Sequence, residues 1–356
     1  MPSESRFSYS NPPVIRCGPG SLAALPGELE GLDAGPLALV TTRSLLGNAS
    51  LMERLQGTLG PSRTALTALI GQHAPIAQVE EAVERVAGSP ATAVLSFGGG
   101  SPIDAAKVVA VKVGERRDGS RLPHVALPTT LSVAELAAGA GVTERSGDKV
   151  GYRGARLVPD LVIYDAELTL ATPAALWLST GIRALDHAVE GYLADGEHPF
   201  SDVMALEAVR RLFRSLPQAR ERPDDLAVRT ENQLAAWFSY TLPGPSAAGL
   251  SHMLGKQIGA RHGIAHGVTS CLLLPHVMRF LAPSQPERLA ELSRATGSCA
   301  GPLGAADDVA RLIADLDLPQ HLSEFGLGEQ ELRAAAEAMA GRHSADDLYA
   351  IYAAAL

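Results

Sequence analysis

Cysteine is scarce in this chain, and the scarcity sets the first limits. Only Cys17, Cys271 and Cys299 occur among 356 residues, an odd number, far apart and without a CxxC pair. No disulfide framework follows from them, and the usage fits a reducing cytosol. Basic charge is short as well: 30 Lys and Arg against 39 Asp and Glu leave a formal charge of -9. Nucleic acid is therefore not an expected partner, because phosphate binding wants a basic face. No apolar run reaches the roughly 20 residues that a membrane span needs. The opening MPSESRFSYSNPP has no basic segment followed by an apolar one, so it is not read as a signal peptide. A cytoplasmic protein with no membrane partner is expected. Long Gly/Ser linkers and internal repeats are also missing.

What is present is apolar mass, 46% of residues, ample for a large core. Length at roughly 150 residues per domain suggests two domains. Short apolar runs at 36–41, 64–71, 91–97 and 124–127 read as strands, with helices at 43–59, 76–87 and 102–113. Residues 7–17 could add an edge strand, and the run before Asp165 a last one. Strands alternating with helices across short turns predict a parallel, doubly wound sheet. From Pro173 the chain reads as helices: 173–194, 201–217, 226–243, 246–260, 267–281, 286–296, 304–315, 329–341 and 345–354. The expected architecture is an α/β domain over 1–166 and an all-α domain over 167–356, sharing a cleft.

Chemistry concentrates in SHMLGKQIGARHGIAHGVTSCLLLPH, Ser251 to His276, which holds His252, His262, His266, His276 and Lys256. Four of the ten histidines fall here, among small and apolar residues. Imidazole titrates near neutrality and ligates metals. Any one of these could be a core histidine bonded to backbone, but burying several without a task costs desolvation.

A second motif, SFGGGSPIDAAK, runs from a strand through Gly98, Gly99 and Gly100 into a helix. Glycines let backbone approach an anion, and a helix start offers free N–H groups. Ser101 could cap that helix with Pro102 at its first position. The motif is neither GxGxxG nor a Walker loop, and a ligand-free tight turn is its bland alternative. Thr129 and Thr130, in LPTTLSVAE, close a strand at the edge where open α/β sheets place ligands. In TGIRALDHAVEGY, Arg183 and His187 lie four apart on one helical face, as do Asp186 and Glu190. Alone, that stretch would pass for a salt-bridged helix.

In this order, GGGSPIDAAK, PTT, DAELTLATP, GIRALDHAVE and HGxxxxxLLPHVMRF resemble the iron-containing alcohol dehydrogenase family. That family shares the dehydroquinate synthase-like fold. The resemblance spans nearly the whole chain and implies an N-terminal nucleotide-binding domain, a helical C-terminal domain and NADH or NADPH as cofactor. Gly98, Gly99, Gly100, Ser101, Asp104, Thr129 and Thr130 would then face the cofactor. TTLSVAE, one residue shorter than the usual TTxGTGSE, and VPDLVIYDAELTL look most like the maleylacetate reductase branch.

Metal-binding members of the family use one Asp and three His. The histidines match His187, His252 and His266, but Arg183 stands where the aspartate belongs, and Lys256 replaces a further histidine. A guanidinium cannot ligate and would repel a cation. Asp186 is expected on another helical face and so is not a simple replacement. Loss of a tight Fe or Zn site is therefore expected, as the resemblance also implies for maleylacetate reductases. Where the family often has an Asp after its first core strand, this chain has Thr42 and Arg43, which makes NADPH acceptable beside NADH; Arg43 could equally be a solvated helix start.

The resulting expectation is a homodimeric NAD(P)H-dependent reductase of a small polar carbonyl or enone compound, a carboxylated one expected. Arg183, Lys256 and the imidazoles would stabilise developing negative charge, or Arg183 would clamp a substrate carboxylate. His252, His266 or Lys256 would supply the proton. His262 reads as a ligand or substrate-edge contact and His276 as structural. A metal-dependent alcohol dehydrogenase is the alternative. A lyase of the dehydroquinate synthase kind and a non-catalytic nucleotide-binding protein are weaker ones.

Overall fold

The computed structural model describes residues 11–60, 63–146, 149–196, 198–240, 249–259 and 261–356. Two compact units divide them. Residues up to 172 together with 224–234 form an α/β unit, and 173–223 with the chain from 235 onward form a helical unit.

The strands of the α/β unit are β1 (Val14–Cys17), β2 (Leu37–Thr41), β3 (Thr64–Leu69), β4 (Ala93–Gly98), β5 (His124–Pro128), β6 (Gly139–Thr143), β7 (Lys149–Arg153) and β8 (Leu161–Tyr164). Six of them make one sheet in the order β1-β8-β5-β4-β2-β3. Every pairing in it is parallel. Its helices are α1 (Leu25–Gly31), α2 (Arg43–Leu46), α3 (Ala49–Leu59), α4 (Ile76–Ala87) and α5 (Gly100–Arg117).

Period-two alternation sends residues of one strand to opposite faces. Leu37, Leu39, Leu95 and Phe97 pack with Leu29 of α1 and Leu55 of α3. Ala38, Val40 and Val94 pack with Val83 of α4 and Val109 of α5. Both faces are covered, which is why these strands read as continuous apolar runs. The doubly wound α/β expectation holds.

Two local readings change. The helix expected over 43–59 is broken at Gly47–Asn48, because Asn48 Oδ1 accepts from Leu51 N at 3.1 Å and caps α3 afresh. The antiparallel hairpin β6–β7 was not foreseen; it is short and glycine-rich, with little period-two signal. The edge strand expected over 7–17 starts at Val14 among the described residues, and its residues 7–10 lie outside them.

The helical unit holds α6 (Ala174–Tyr192), α7 (Pro199–Glu221), the end of α8 (Leu226–Ser239), α9 (Leu250–Gly259), α10 (His266–Leu281), α11 (Pro286–Thr296), α12 (Gly304–Asp315), α13 (Glu329–Met339) and α14 (Ala345–Ala354). The expected extension of α8 past Tyr240 and the start of α9 before Gly249 lie outside the described residues. From Trp177 onward α6 is buried on every side, the mark of a central helix. At Gly267 a Cβ would stand 2.7 Å from the Ser179 backbone, so α10 approaches α6 as only glycine allows. Among the described residues no helix is long and apolar enough to cross a membrane.

Candidate active site

The glycine turn lies at the carboxyl edge of the sheet. Thr41 and Phe97 are register partners and Thr41 Oγ1 donates to Phe97 O at 2.8 Å, so Thr42 and Gly98 leave neighbouring strands at one edge. Gly98 has φ +145°, a conformation that suits glycine. A Cβ on Gly99 would stand 3.0 Å from the Thr130 side chain, and Gly100 lies against Ser132. Thr129 N donates to Gly98 O at 3.0 Å and ties the two turns together.

Ser101 does not cap α5. The helix starts at Gly100 with Gly99 as its N-cap and no side-chain cap, while Ser101 Oγ accepts from His73 N at 3.0 Å. The first N–H groups of α5 thus have no side-chain partner at the cap. Beside them the hydroxyls of Thr130 and Ser132 are buried without a hydrogen-bond partner. Uncapped amides and orphaned hydroxyls around a bare glycine turn suit an anion such as a dinucleotide pyrophosphate. Asp104 instead accepts from Gly141 N at 2.9 Å, within the β6–β7 hairpin. Thr42 accepts from Leu45 N as the N-cap of α2, and Arg43 is exposed at that helix's start.

The histidine cluster forms in the helical unit from α6, α9 and α10. Arg183 is 6% exposed and its guanidinium is turned onto protein: Nη1 donates to Asp186 Oδ2 at 3.2 Å and to Ser270 Oγ at 3.0 Å, and Nη2 donates to the His252 ring. Asp186 is therefore not on an unrelated face. Positions three apart are neighbours on a helix, and the long arginine side chain bends to its acid. Ser251 and Ser270 also donate to Asp186 Oδ2, at 3.0 and 2.6 Å, while Oδ1 is buried without a partner. The His187 ring stands 5.5 Å from that of His252 and edge-on to Tyr240 at 5.0 Å.

Burial and then the Arg183 charge hold His187 and His252 well below the usual histidine range, so both are neutral at pH 7. A nitrogen of His252 that accepts from Arg183 must in any case carry a lone pair. Burial raises Asp186 against the pull of Arg183, and burial with the nearby Asp186 raises Glu190 further. Glu190 accepts from Gly249 N at 3.1 Å and His252 N at 3.2 Å, at the start of α9.

Lys256 is exposed on α9, and His266 is half-buried at the first position of α10. His266 and Lys256 both lie close enough to act on His252 electrostatically. His262 is exposed in the turn between α9 and α10. His276 sits inside α10, where burial, Arg279 and His321 push it down to about 4. Glu190 was legible only as a helical neighbour of Asp186, and the contacts of Ser251, Ser270 and Tyr240 carried no signal in the sequence, since each joins distant segments.

Arg183 bears directly on metal binding. Among the described residues no three His, Cys, Asp or Glu side chains are grouped so that they could hold an ion. The His252 ring that a metal would need as donor is already accepting from a guanidinium. This donor set does not fit a metal.

Comparison with known proteins places the chain. Residues 12–166 match the model for iron-containing alcohol dehydrogenase, and 177–349 the model for the C-terminal part of the Fe-containing alcohol dehydrogenase family. The maleylacetate reductase of Rhizobium sp. (strain MTP-10005) is 32% identical over 332 residues, 93% of this chain and 90% of the relative. The probable alcohol dehydrogenase EutG of Escherichia coli (strain K12) is 33% identical over 90% of this chain and 85% of its own. The crystal structure of maleylacetate reductase from Agrobacterium tumefaciens superposes with TM-score 0.86 at 29% identity, covering 99% of each chain.

Proposed function

Because the chain belongs to the iron-containing alcohol dehydrogenase family, we propose that it is an NAD(P)H-dependent reductase of the maleylacetate reductase type. It is an oxidoreductase of a family of NAD(P)-dependent enzymes. Its substrate, on this reading, is a small polar carbonyl or enone compound, with a carboxylated one preferred. It works as a cytoplasmic homodimer without a tightly bound metal. Residues 1–166 bind the nucleotide and 167–356 carry the catalytic groups. The observation that supports this is the Arg183 guanidinium engaged with His252 and Asp186.

Gly98, Gly99, Gly100, Thr129 and Thr130 would hold the cofactor's phosphates, with Thr42 and Arg43 toward its ribose. When bound, the nicotinamide supplies a hydride to an electrophilic carbon. The chain's own task is the charge left on the substrate oxygen. Arg183 and the neighbouring imidazoles stabilise that oxygen in a dry, low-dielectric setting. Arg183 acts as a fixed positive charge and not as a carboxylate clamp, because its fork already faces Asp186, Ser270 and His252. With His187 and His252 neutral, Lys256 is the better proton donor, and its ammonium the better partner for a substrate carboxylate.

A metal-dependent alcohol dehydrogenase is the second reading, favoured by the buried and unpartnered Asp186 Oδ1. Metal content after incubation with excess Fe²⁺ or Zn²⁺ and desalting separates the two. Less than about a tenth of an equivalent per chain, with turnover of maleylacetate-like acids by NADH or NADPH unaffected by chelator, is expected. A stoichiometric, activity-linked metal would sink the first reading.

A further inference from the structure

Lys107 is buried inside α5, two turns beyond the glycine turn, and its ammonium is wholly taken up by backbone. Nζ donates to Ala134 O at 2.5 Å, Ala137 O at 2.8 Å and Gly139 O at 2.7 Å, with Asp104 Oδ1 at 3.7 Å. Three donors meet three carbonyls, all in the segment that leads from Thr129 to β6. On the other side of that segment Glu135, also buried, accepts from Tyr164 OH of β8 at 2.7 Å. Just before both anchors, Val133 has φ +54°, a left-handed conformation that a β-branched residue adopts only when held there. Thr130 and Ser132, the two orphaned hydroxyls beside the glycine turn, precede it immediately.

We propose that Lys107 and Glu135 are positioning residues for the cofactor cradle. They fasten the strained turn between β5 and β6 to α5 and to β8, so that Thr130 and Ser132 stand beside the uncapped start of that same helix. One helix then supplies both the amides of the cradle and the brace that sets the distance to its opposite wall. An apolar residue could fill the volume of Lys107 but would take a donor from three part-buried carbonyls; Ala134 O would keep only the Ala137 N–H at 3.2 Å, and Ala137 O and Gly139 O would lose their charged partner. This inference rests on the reading of the glycine turn as a nucleotide site.

The test is the dissociation constant of NADH and NADPH, followed by nicotinamide fluorescence on the full-length protein, together with the split of kcat from the cofactor KM. Lys107→Met is expected to raise both dissociation constants by roughly tenfold, with kcat at saturating cofactor within about twofold of wild type. Glu135→Ala should behave similarly and Glu135→Gln, which still accepts from Tyr164, should restore most of the affinity. Tyr164→Phe keeps the packing and should weaken binding by about threefold to fivefold. If Lys107→Met fails to fold, the Glu135 pair and Tyr164→Phe decide. Folded variants that lose thermal stability but keep wild-type dissociation constants would overturn the brace and leave the nucleotide site standing. A wild-type protein that binds neither nucleotide would overturn the reading of the site itself, and the brace with it.

Discussion

Arg183 shows what one side chain does to its surroundings. It neutralises Asp186 in a buried setting, occupies the His252 ring and helps hold two imidazoles uncharged. Removing one partner of a buried ion pair leaves the other uncompensated, at a cost of roughly 3–5 kcal/mol, while replacing both by apolar groups is often neutral. Arg183→Leu is therefore expected to destabilise the protein by that amount, and Arg183→Leu with Asp186→Leu to recover most of it. On the proposed mechanism both variants should lose on the order of 10²–10³ in kcat, because the charge assigned to the substrate oxygen would be gone. Urea denaturation with steady-state kinetics separates the effects; equal stability of the single and double variants would show that Asp186 does not depend on its arginine. The residue was conspicuous in the sequence because it sits four before His187. Its contacts were not, since Ser270 and His252 are 87 and 69 positions away.

Elements were legible in proportion to their periodicity. The helices at 286–296, 304–315 and 345–354 have the bounds that apolar spacing indicates. The turn between β5 and β6 did not announce its structure, because it is held by Lys107 across 27 to 32 residues and by a Glu135–Tyr164 bond across 29. Its stability should depend on pH. Burial, only partly offset by Tyr164 and Lys107, raises Glu135 from 4.5 to about 7. Below pH 4.5 both folded and unfolded chains hold the proton and nothing is lost. Between 4.5 and about 7 the unfolded chain releases it first, so folding stability falls as pH rises and levels off above. Glu135→Gln removes that dependence. The difference in unfolding free energy between variant and wild type should grow, in the variant's favour, by on the order of 3 kcal/mol from pH 4.5 to 8. Parallel pH profiles of the two proteins would refute this.

For the molecule as a whole, the architecture was the most legible level. Alternating strands and helices up to Asp165 and helices after Pro173 leave few ways to cover a parallel sheet on both faces. What the pattern could not convey is that α8 is shared, with residues 224–234 grouped in the α/β unit and the chain from 235 in the helical one. A short excursion of chain has no compositional mark. Nor could it convey that α5 begins on bare glycine with Ser101 turned away to His73. That uncapped end has a practical side. On the reading of this turn as the nucleotide site, small inorganic anions will enter it in the nucleotide's place. Sulfate and phosphate should therefore act as competitive inhibitors toward the nucleotide, raising its apparent KM without lowering the limiting rate. Equal concentrations of chloride at matched ionic strength should do much less. Cofactor preference measured in phosphate buffer would then describe the buffer as much as the enzyme.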